Sequence, residues 1–311
     1  MKIVFTDANT IGADIDLSGF ERFGEVCRYG FLTPDELPDA VRDADIIIAN
    51  KTPMNESTLK GAAKLKLICV TATGTNNLDK DYLASRGIEW RNVAGYSTEC
   101  VAQHTFALLF YLWEKLSYYD DYVKSGTYAG DKCFTHFAET FNELAGKTWG
   151  IIGLGNIGRR VAGIAQAFGC RVIYSSPSGA APQDGYTQVP LKELLANSDI
   201  VSVHSPLNEY TEGLMNRDAF ALMKPSAVFL NLARGPIVVE EDLAQALENG
   251  VIAAAGLDVL CEEPMNPNSP LLRIKDSRKL LITPHIAWAG VETRTRLMGI
   301  IEGQIENFLD K

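Results

Sequence analysis

Short apolar runs alternate with helix-like segments along most of the chain. The first runs are KIVF, EVCRYG, DIIIAN, LKLICVTA and IEWRNV, with candidate helices near residues 34–43, 56–63 and 79–86. Strands of this length that alternate with helices form βαβ units, in which the strands are parallel. The pattern therefore predicts an α/β fold with a parallel sheet in the amino-terminal part.

A second series of strands and helices begins at KTWGIIGLG. Its later strands are CRVIYSS, DIVSVHS, AVFLNLA, AAAGLDVL and KLLITPH, and an amphipathic helix follows from about Val291. Between the two series we predict a long apolar helix over residues 97–116 and an irregular, aromatic-rich segment over residues 117–145. The chain is therefore expected to contain two α/β units.

Length and charge narrow the classes of protein. The chain has 311 residues, enough for two medium domains, and a net charge of −10, which argues against a broad nucleic-acid or anionic-membrane surface. No apolar run reaches the roughly 18 residues of a spanning helix, and MKIVFTDANT is typical of a strand rather than a signal peptide. The six cysteines form no CxxC pair. We interpret them as buried thiols of a cytoplasmic protein without a metal site.

A glycine-rich loop follows the first strand of the second series. Gly153, Gly155 and Gly158 have G-x-G-x-x-G spacing between an apolar strand and a helix, the context that makes this motif informative. The first glycine permits a tight turn, the second lets a pyrophosphate approach the backbone, and the third lets the helix pack on the strand. The free amides at Asn156 and Ile157 would face the phosphates at the helix N-terminus.

The end of the next strand bears on the choice of cofactor. In dinucleotide-binding folds an acid at this point holds the adenosine ribose, but here the strand ends in Ser175 and Ser176. No carboxylate would repel a 2′-phosphate, and only Arg159 or Arg160 is near enough in sequence to attract one. The choice between NAD and NADP is open, and the missing positive cluster favours NAD.

With these motifs the chain resembles the D-isomer-specific 2-hydroxyacid dehydrogenases. The resemblance runs from the first strand to the last helix and rests on GLGNIGRRVAGIAQAFG, VHSPLNEYTEGLMN, LNLARGPIVVEEDLAQAL, AAAGLDVLCEEP and LLITPHIAW, in that order. Within the family, VTATGTNNLD and NVAGYSTECVAQHTFALL look most like glycerate dehydrogenases, also called hydroxypyruvate reductases.

The resemblance implies a fold of two Rossmann-like domains with parallel sheets and the active site in the cleft between them. Residues 1–98 and 287–311 would form a flavodoxin-like, substrate-binding domain. Residues 99–286 would form the dinucleotide-binding domain. The family also implies a homodimer that associates through the cofactor domains, which would cover the apolar helix and the aromatic segment.

The family's catalytic trio maps onto Arg234, Glu263 and His285. His285 would protonate the carbonyl oxygen of a 2-oxo acid while a hydride arrives from the nicotinamide. Glu263 would orient the imidazole, although the adjacent Glu262 is an alternative partner. Arg234 would hold the substrate carboxylate and polarise the carbonyl.

Further contacts follow from the resemblance. Backbone amides at Thr73 and Gly74, together with Lys51, would bind the substrate. Besides the glycine loop, the cofactor would contact Ser176, His204, Pro206, Thr211, Leu232, Ala233, Asp258 and His285. We interpret His204 as a structural hydrogen-bonding residue and Asp258 as an acceptor for the nicotinamide carboxamide.

Simpler interpretations exist for the central residues. Arg234 could cap a strand end or pair with Glu240 or Glu241 on the surface. His285 could be a satisfied core histidine.

The expected activity is reduction of hydroxypyruvate or glyoxylate to D-glycerate or glycolate. The alternatives are a D-lactate-type dehydrogenase acting on another 2-oxo acid, and a dinucleotide-sensing binding protein of the same fold, like the C-terminal-binding-protein corepressors. Glu263 argues against a formate dehydrogenase, which has Gln at this position. A phosphoglycerate dehydrogenase is not expected either, because the chain has no extra regulatory domain and no further basic residues beside Lys51.

Overall fold

A computed structural model describes residues 1–179 and 185–311 and divides the chain into two compact units. The first unit comprises residues 1–97 and 289–311, and the second comprises residues 98–288. The predicted domain boundaries lay one or two residues away, at 98/99 and 286/287. Each unit has its own parallel sheet among the described residues, so the predicted fold class is confirmed.

The first unit contains a five-stranded parallel sheet in the order β2-β1-β3-β4-β5. Its strands are β1 (Lys2–Phe5), β2 (Glu25–Arg28), β3 (Ile46–Ala49), β4 (Leu67–Val70) and β5 (Glu89–Arg91). The helices are α1 (Leu37–Ala40), α2 (Lys80–Ser85) and the last helix of the chain, Val291–Leu309. Strands β1, β3 and β4 are almost wholly apolar and buried, as expected for a parallel sheet covered on both faces.

One predicted helix of the first unit is absent from the described residues. Residues 56–63, expected to be helical, form turns instead. The side chain of Asn55 accepts hydrogen bonds from the amides of Ser57 and Thr58, and the Thr58 hydroxyl donates to the carbonyl of Pro53. Side-chain bonds of this kind compete with the backbone bonds of a helix, so local turn chemistry outweighed the apolar pattern.

The second unit contains a seven-stranded parallel sheet among the described residues, in the order β12-β11-β10-β9-β6-β7-β8. The strands are β6 (Thr148–Ile152), β7 (Arg171–Ser175), β8 (Thr187–Gln188), β9 (Ile200–Val203), β10 (Val228–Asn231), β11 (Ala254–Leu257) and β12 (Leu280–Ile282). Strand β8 is an edge strand of two residues that the apolar pattern did not predict.

Helices cover both faces of the second sheet. They are α3 (Thr98–Trp113), α4 (Leu116–Lys124), α5 (Asn156–Ala167), α6 (Leu191–Asn197), α7 (Arg217–Ala221) and α8 (Glu240–Glu248), and the helix at Val291–Leu309 in the first unit is α9. On β10, Phe229 packs into the core of one face and Leu230 into the core of the other. Alternate side chains are buried on opposite faces, as in a doubly wound sheet.

The long helix predicted over residues 97–116 is shorter than expected. It ends at Trp113, and α4 begins at Leu116 after Lys115, which has a left-handed φ of 57°. The segment predicted as irregular over residues 117–145 therefore opens with a helix. A single left-handed residue redirects the chain, and nothing in the side-chain pattern indicates that change.

The cysteines are free thiols, but not all are buried. Cys133 and Cys261 are exposed, which corrects the prediction that all six are packed inside the protein. Burial raises the pKa of the Cys69 thiol to about 12, so its reactive thiolate is scarce near neutral pH. No helix in the described part of the chain is both long and apolar enough to cross a bilayer.

Candidate active site

The glycine-rich turn after β6 has the geometry that requires glycine. Gly153 has a φ of 93°, where side chains with a Cβ are strained, and a Cβ there would lie 2.3 Å from the Ser205 hydroxyl oxygen. A Cβ on Gly158 would lie 2.2 Å from the Gly153 carbonyl oxygen. These two residues therefore set the turn and the close packing of α5 against it.

Gly155 differs from its two neighbours in the motif. It is the N-cap residue of α5, and a Cβ added there would meet nothing within 4 Å. The first amides of the helix, including those of Asn156 and Ile157, have no partner within the helix. Open space at the positive end of a helix dipole fits the pyrophosphate of a dinucleotide.

Most other predicted cofactor contacts follow directly after the strands of this sheet. Ser176 follows β7, His204 follows β9, Leu232 and Ala233 follow β10, and Asp258 follows β11. The carboxyl ends of parallel strands share one edge of a sheet, and ligands of open α/β sheets bind there. The structure thus gathers these residues at the edge that carries the glycine loop.

Pro206 and Thr211 lie in the loop after β9. The Thr211 hydroxyl is buried and donates to the Pro206 carbonyl at 2.7 Å, while the Asn208 amide donates to the hydroxyl oxygen at 2.9 Å. Thr211 therefore shapes the loop.

His204 forms a partly buried polar chain with two other side chains. Its Nε2 lies 3.1 Å from the Ser202 hydroxyl oxygen, which also accepts a 2.9 Å bond from Trp149 Nε1. Burial lowers the pKa of His204 to about 3, so the ring is neutral under physiological conditions. Its Nδ1 is enclosed and has no hydrogen-bond partner among the described residues. A neutral, hydrogen-bonded ring agrees with the predicted structural role.

Asp258 holds the loop that carries His285. Its carboxylate accepts hydrogen bonds from the amide of Ile286 at 2.9 Å, the amide of Ala287 at 2.8 Å and the hydroxyl of Thr283 at 2.6 Å. The Asp258 carbonyl accepts the amide of His285 at 2.8 Å. Asp258 is 1% exposed, so its main visible contacts are with this loop, and its predicted contact to the cofactor carboxamide remains a prediction.

His285 has an unusual backbone conformation. Its φ is 56°, a left-handed value that is uncommon outside glycine. Such residues persist where surrounding contacts determine them, and they cluster at functional sites.

The imidazole of His285 contacts a carboxylate. Its Nδ1 lies 2.7 Å from Glu263 Oε2, and Glu263 Oε1 accepts the Leu260 amide at 3.0 Å. Glu262, the alternative partner, accepts a 2.8 Å bond from the side-chain amide of Asn266. An Nδ1 bond to a carboxylate leaves Nε2 as the nitrogen that can exchange a proton with a substrate.

Arg234 sits on the loop after β10, which Asn231 shapes. The fully buried Asn231 side chain accepts the Ala233 amide and donates to the Arg234 carbonyl. The Arg234 guanidinium donates one 2.7 Å bond, to the Ala233 carbonyl, and forms no ion pair with any residue that the structure describes, including the alternatives Glu240 and Glu241. A half-buried guanidinium in this state can still bind a carboxylate.

The loop with Arg234 packs against the loop with Glu263. A Cβ on Gly235 would lie 1.9 Å from the carbonyl carbon and oxygen of Leu260. Only glycine allows two backbones to approach so closely. The dipeptide Arg234–Gly235 therefore lies against the loop that holds Glu263, the partner of His285.

The predicted substrate-binding residues Lys51, Thr73 and Gly74 all lie in the first unit. Thr73 and Gly74 follow β4, and their amides donate to no backbone or side-chain acceptor in the described part of the chain. Lys51 follows β3 and has an exposed side chain. The three residues lie in loops at the carboxyl ends of adjacent strands, β3 and β4.

Several functional contacts were missed by sequence reasoning. His104 Nε2 lies 3.0 Å from the Thr283 hydroxyl and 3.6 Å from Asp258, which links it to the loop of His285. Asn231 and the buried Asp7 were not singled out either. A polar residue at the end of a buried strand, or within two residues of that end, is a usable signal for Asn231 and Asp7, since a buried polar group needs partners.

A glycine-rich turn and a histidine–carboxylate pair, both in one doubly wound sheet domain, define a dinucleotide-dependent oxidoreductase. Residues 106–287 match the profile of the D-isomer specific 2-hydroxyacid dehydrogenase NAD binding domain. The chain belongs to the D-isomer specific 2-hydroxyacid dehydrogenase family, and the domain that it matches is an NAD binding domain.

Relatives whose descriptions name an activity are similar to this chain over almost its whole length. A hydroxypyruvate reductase of Blautia hydrogenotrophica is 37% identical, with 99% of this chain and 97% of the relative covered. A glycerate dehydrogenase of Methylorubrum extorquens is 35% identical, with 99% and 96% covered. The crystal structure of the TT0316 protein from Thermus thermophilus has a TM-score of 0.88 at 32% identity and covers 100% of this chain and 97% of its own.

Proposed function

We propose that this protein reduces hydroxypyruvate and glyoxylate to D-glycerate and glycolate, and catalyses the reverse reactions. The observation that carries the proposal is the 2.7 Å contact between His285 Nδ1 and Glu263 Oε2. The loop of Glu263 packs against the loop of Arg234, whose guanidinium has no carboxylate partner among the described residues. A proton donor and an anion receptor that are linked through the loop of Glu263 suit a substrate that holds a carboxylate next to a ketone.

Each member of the trio has a distinct role in this proposal. NADH, when bound, supplies the hydride. His285 delivers a proton from Nε2 to the carbonyl oxygen, and Glu263 keeps the ring oriented through Nδ1 and stabilises its protonated form. Arg234 binds the substrate carboxylate and keto oxygen with its forked N–H groups and polarises the carbonyl.

The first unit would contribute the remaining anion contacts. We propose that the unpaired amides of Thr73 and Gly74 bind the substrate carboxylate, and that the Lys51 ammonium adds positive charge near it. Residues 1–98 with 287–311 would accordingly be the substrate-binding domain, and residues 99–286 the dinucleotide-binding domain. Backbone amides are effective carboxylate ligands because they are already oriented.

The cofactor would lie along the carboxyl edge of the second sheet. Gly153, Gly155, Asn156, Ile157 and Gly158 would hold its pyrophosphate at the start of α5. The remaining contacts, proposed for its ribose, nicotinamide and linking groups, are Ser176, His204, Pro206, Thr211, Leu232, Ala233, Asp258 and His285.

An assay of substrates separates the proposal from its alternatives. Hydroxypyruvate, glyoxylate, pyruvate and a bulky 2-oxo acid would each be tested with NADH and with NADPH. The proposal expects the largest kcat/KM with hydroxypyruvate or glyoxylate. A preference for pyruvate would indicate a D-lactate-type dehydrogenase. No turnover with any of the four, together with tight NADH binding, would indicate a dinucleotide-sensing binding protein.

We also propose a homodimer formed through the cofactor domains. Phe134 is 88% exposed and Phe137 is 79% exposed, and Phe141 is exposed in the same segment. His136 ties this segment to α4, because its Nε2 lies 2.7 Å from the Tyr118 hydroxyl and its ring stacks on Tyr122 at 3.9 Å. A segment that is fixed to its own domain and exposes several phenylalanine side chains is typical of a protein–protein interface.

The mass in solution tests the dimer. Light scattering at micromolar concentration is expected to give twice the mass of one chain. Replacing Phe134 and Phe137 together by Asp is expected to yield monomers, whereas Phe31→Asp, at an exposed phenylalanine of the first unit, is not. A wild-type monomer with full activity would contradict the dimer and would indicate that the aromatic segment serves instead as a lid.

Cytoplasmic localisation is proposed as well. The six cysteines are all free thiols, which suits a reducing compartment. Cell fractionation with a tagged chain is the direct test. Recovery in a secreted or periplasmic fraction would contradict this proposal.

A further inference from the structure

The charged side chains that the structure buries are few. Among the described residues, Asp7 and Asp258 are the only buried Asp, Glu, Lys or Arg side chains, at 3% and 1% exposed. Burying a carboxylate is costly unless hydrogen bonds replace its water. Asp258 holds the loop of the proposed proton donor, as described above. Asp7 takes part in no step of the proposed reaction. Its contacts are therefore the evidence for what this buried carboxylate does.

The carboxylate of Asp7 gathers the loop that follows β3. It accepts the amide of Asn50 on both oxygens at 2.9 Å, the amide of Lys51 at 2.7 Å and the amide of Thr52 at 3.0 Å. It also accepts the Thr52 hydroxyl at 2.8 Å. Three consecutive amides and a hydroxyl that converge on one buried carboxylate fix the path of the loop more firmly than a single turn bond would.

The same loop is tied to the segment that follows β4. The side-chain amide of Asn77 donates to the Thr52 carbonyl at 3.0 Å, and the Met54 amide donates to the Asn77 carbonyl at 2.7 Å. Asn77 lies three residues after Gly74. One hydrogen-bonded chain therefore runs from Asp7 through Thr52 to the segment with the proposed carboxylate-binding amides.

We propose that Asp7 is a positioning residue for substrate binding, which holds Lys51 and its loop in the conformation that receives the substrate carboxylate. The inference rests on the proposed function. The inference does not require Asp7 to touch the substrate. A carboxylate would repel the substrate carboxylate, so Asp7 is proposed to act only through the loop amides that it binds. The arrangement repeats that of Asp258, whose carboxylate holds the loop of His285 in the second unit.

Asp7→Asn is the first test variant. Both carboxylate oxygens of Asp7 accept the hydrogen bond from the Asn50 amide. In either orientation of the new side chain, an NH₂ group, which cannot accept that bond, therefore takes the place of one of these oxygens. Asp45→Asn is the matched control. Asp45 accepts a backbone amide in the same sheet, that of Lys2, but it precedes β3 and lies at the opposite edge.

The variant is expected to raise the KM for hydroxypyruvate about tenfold, with kcat and the Kd of NADH changed by less than about twofold. Asp45→Asn is expected to match the wild type. In a Lys51→Ala background, Asp7→Asn is expected to add much less than it does alone, because the residue it positions has gone. A general loss of folding would instead lower kcat and the bound fraction of NADH together.

A second pair of variants decides the case if Asp7→Asn fails to fold. Thr52→Val removes one hydroxyl bond to Asp7, and Thr52→Ser keeps it. The inference expects the valine variant to have a raised KM for hydroxypyruvate and the serine variant to have the KM of the wild type. An unchanged KM in Asp7→Asn, or equal KM values for the two Thr52 variants, would overturn it. A wild type without turnover on any 2-oxo acid would overturn the proposed function itself, and this inference with it.

Discussion

His285 Nδ1 lies 2.7 Å from Glu263 Oε2. Asp258 fixes the loop of His285 by accepting the amides of Ile286 and Ala287. The contact joins residues 22 positions apart and leaves Nε2 as the nitrogen available for proton transfer. We propose that this carboxylate orients the ring for that transfer.

Glu263→Gln is expected to lower kcat by about 10²-fold or more and to change KM little, because the ring loses its charged partner at the proton-transfer step. Glu262→Gln is the matched control, since Glu262 contacts Asn266 instead of the imidazole. Steady-state rates with hydroxypyruvate and NADH check both variants. Equal losses in the two would show that Glu263 has no special place in the reaction.

Three glycines on or beside α5 are expected to respond differently to alanine. Gly155→Ala should leave stability intact but weaken NADH binding, because its Cβ enters the open space proposed for the pyrophosphate. Gly158→Ala should lower the free energy of unfolding by about 1–3 kcal/mol through its contact with the Gly153 carbonyl. Gly163→Ala, where a Cβ meets nothing within 4 Å, should be neutral or stabilising.

Urea unfolding and NADH fluorescence titration separate these outcomes. Unchanged NADH affinity in Gly155→Ala would exclude a phosphate at this position. A stable Gly158→Ala would show that α5 can shift away from β6 at little cost.

Much of this fold follows from the sequence, since buried parallel strands are continuous apolar runs and a glycine turn needs a distinctive spacing. Other features depend on contacts far apart in the chain. The bonds from Asp7 to the loop after β3 span 43 to 45 residues, and no local pattern indicates them. A left-handed residue at Lys115 and side-chain hydrogen bonds around Asn55 each interrupt a helical pattern.

Ser176→Asp is expected to reduce kcat/KM for NADPH at least about tenfold more than that for NADH, because a carboxylate beside the ribose repels a 2′-phosphate and accepts a 2′-hydroxyl. Ser178→Asp places the same charge on an exposed neighbour and serves as the control. An unchanged ratio of NADH to NADPH in Ser176→Asp would mean that Ser176 does not lie at the ribose.

His204 is expected to make stability depend on pH. Burial lowers its pKa to about 3, whereas an unfolded histidine titrates near ~6.5. Below that pH the unfolded chain binds a proton that the folded chain does not, so the free energy of unfolding falls as pH drops. Between pH ~7 and ~5 this group alone should remove about 2 kcal/mol.

His204→Gln should remove that part of the pH dependence while the other three histidines remain. Urea unfolding at the two pH values checks the difference. Equal losses of stability in the variant and the wild type would contradict a neutral His204 in the folded protein.

The central claim is that Arg234 binds and polarises a 2-oxo acid which His285 protonates. The most direct measurement is kcat and KM for hydroxypyruvate with NADH in the wild type, Arg234→Ala and His285→Ala, with Arg273→Ala as a surface control that loses only its exposed pairs with Glu241 and Glu248. Arg234→Ala is expected to raise KM and lower kcat, for a loss of about 10²–10³-fold in kcat/KM. His285→Ala is expected mainly to lower kcat, and Arg273→Ala to match the wild type. Normal turnover in either Arg234→Ala or His285→Ala would contradict the account.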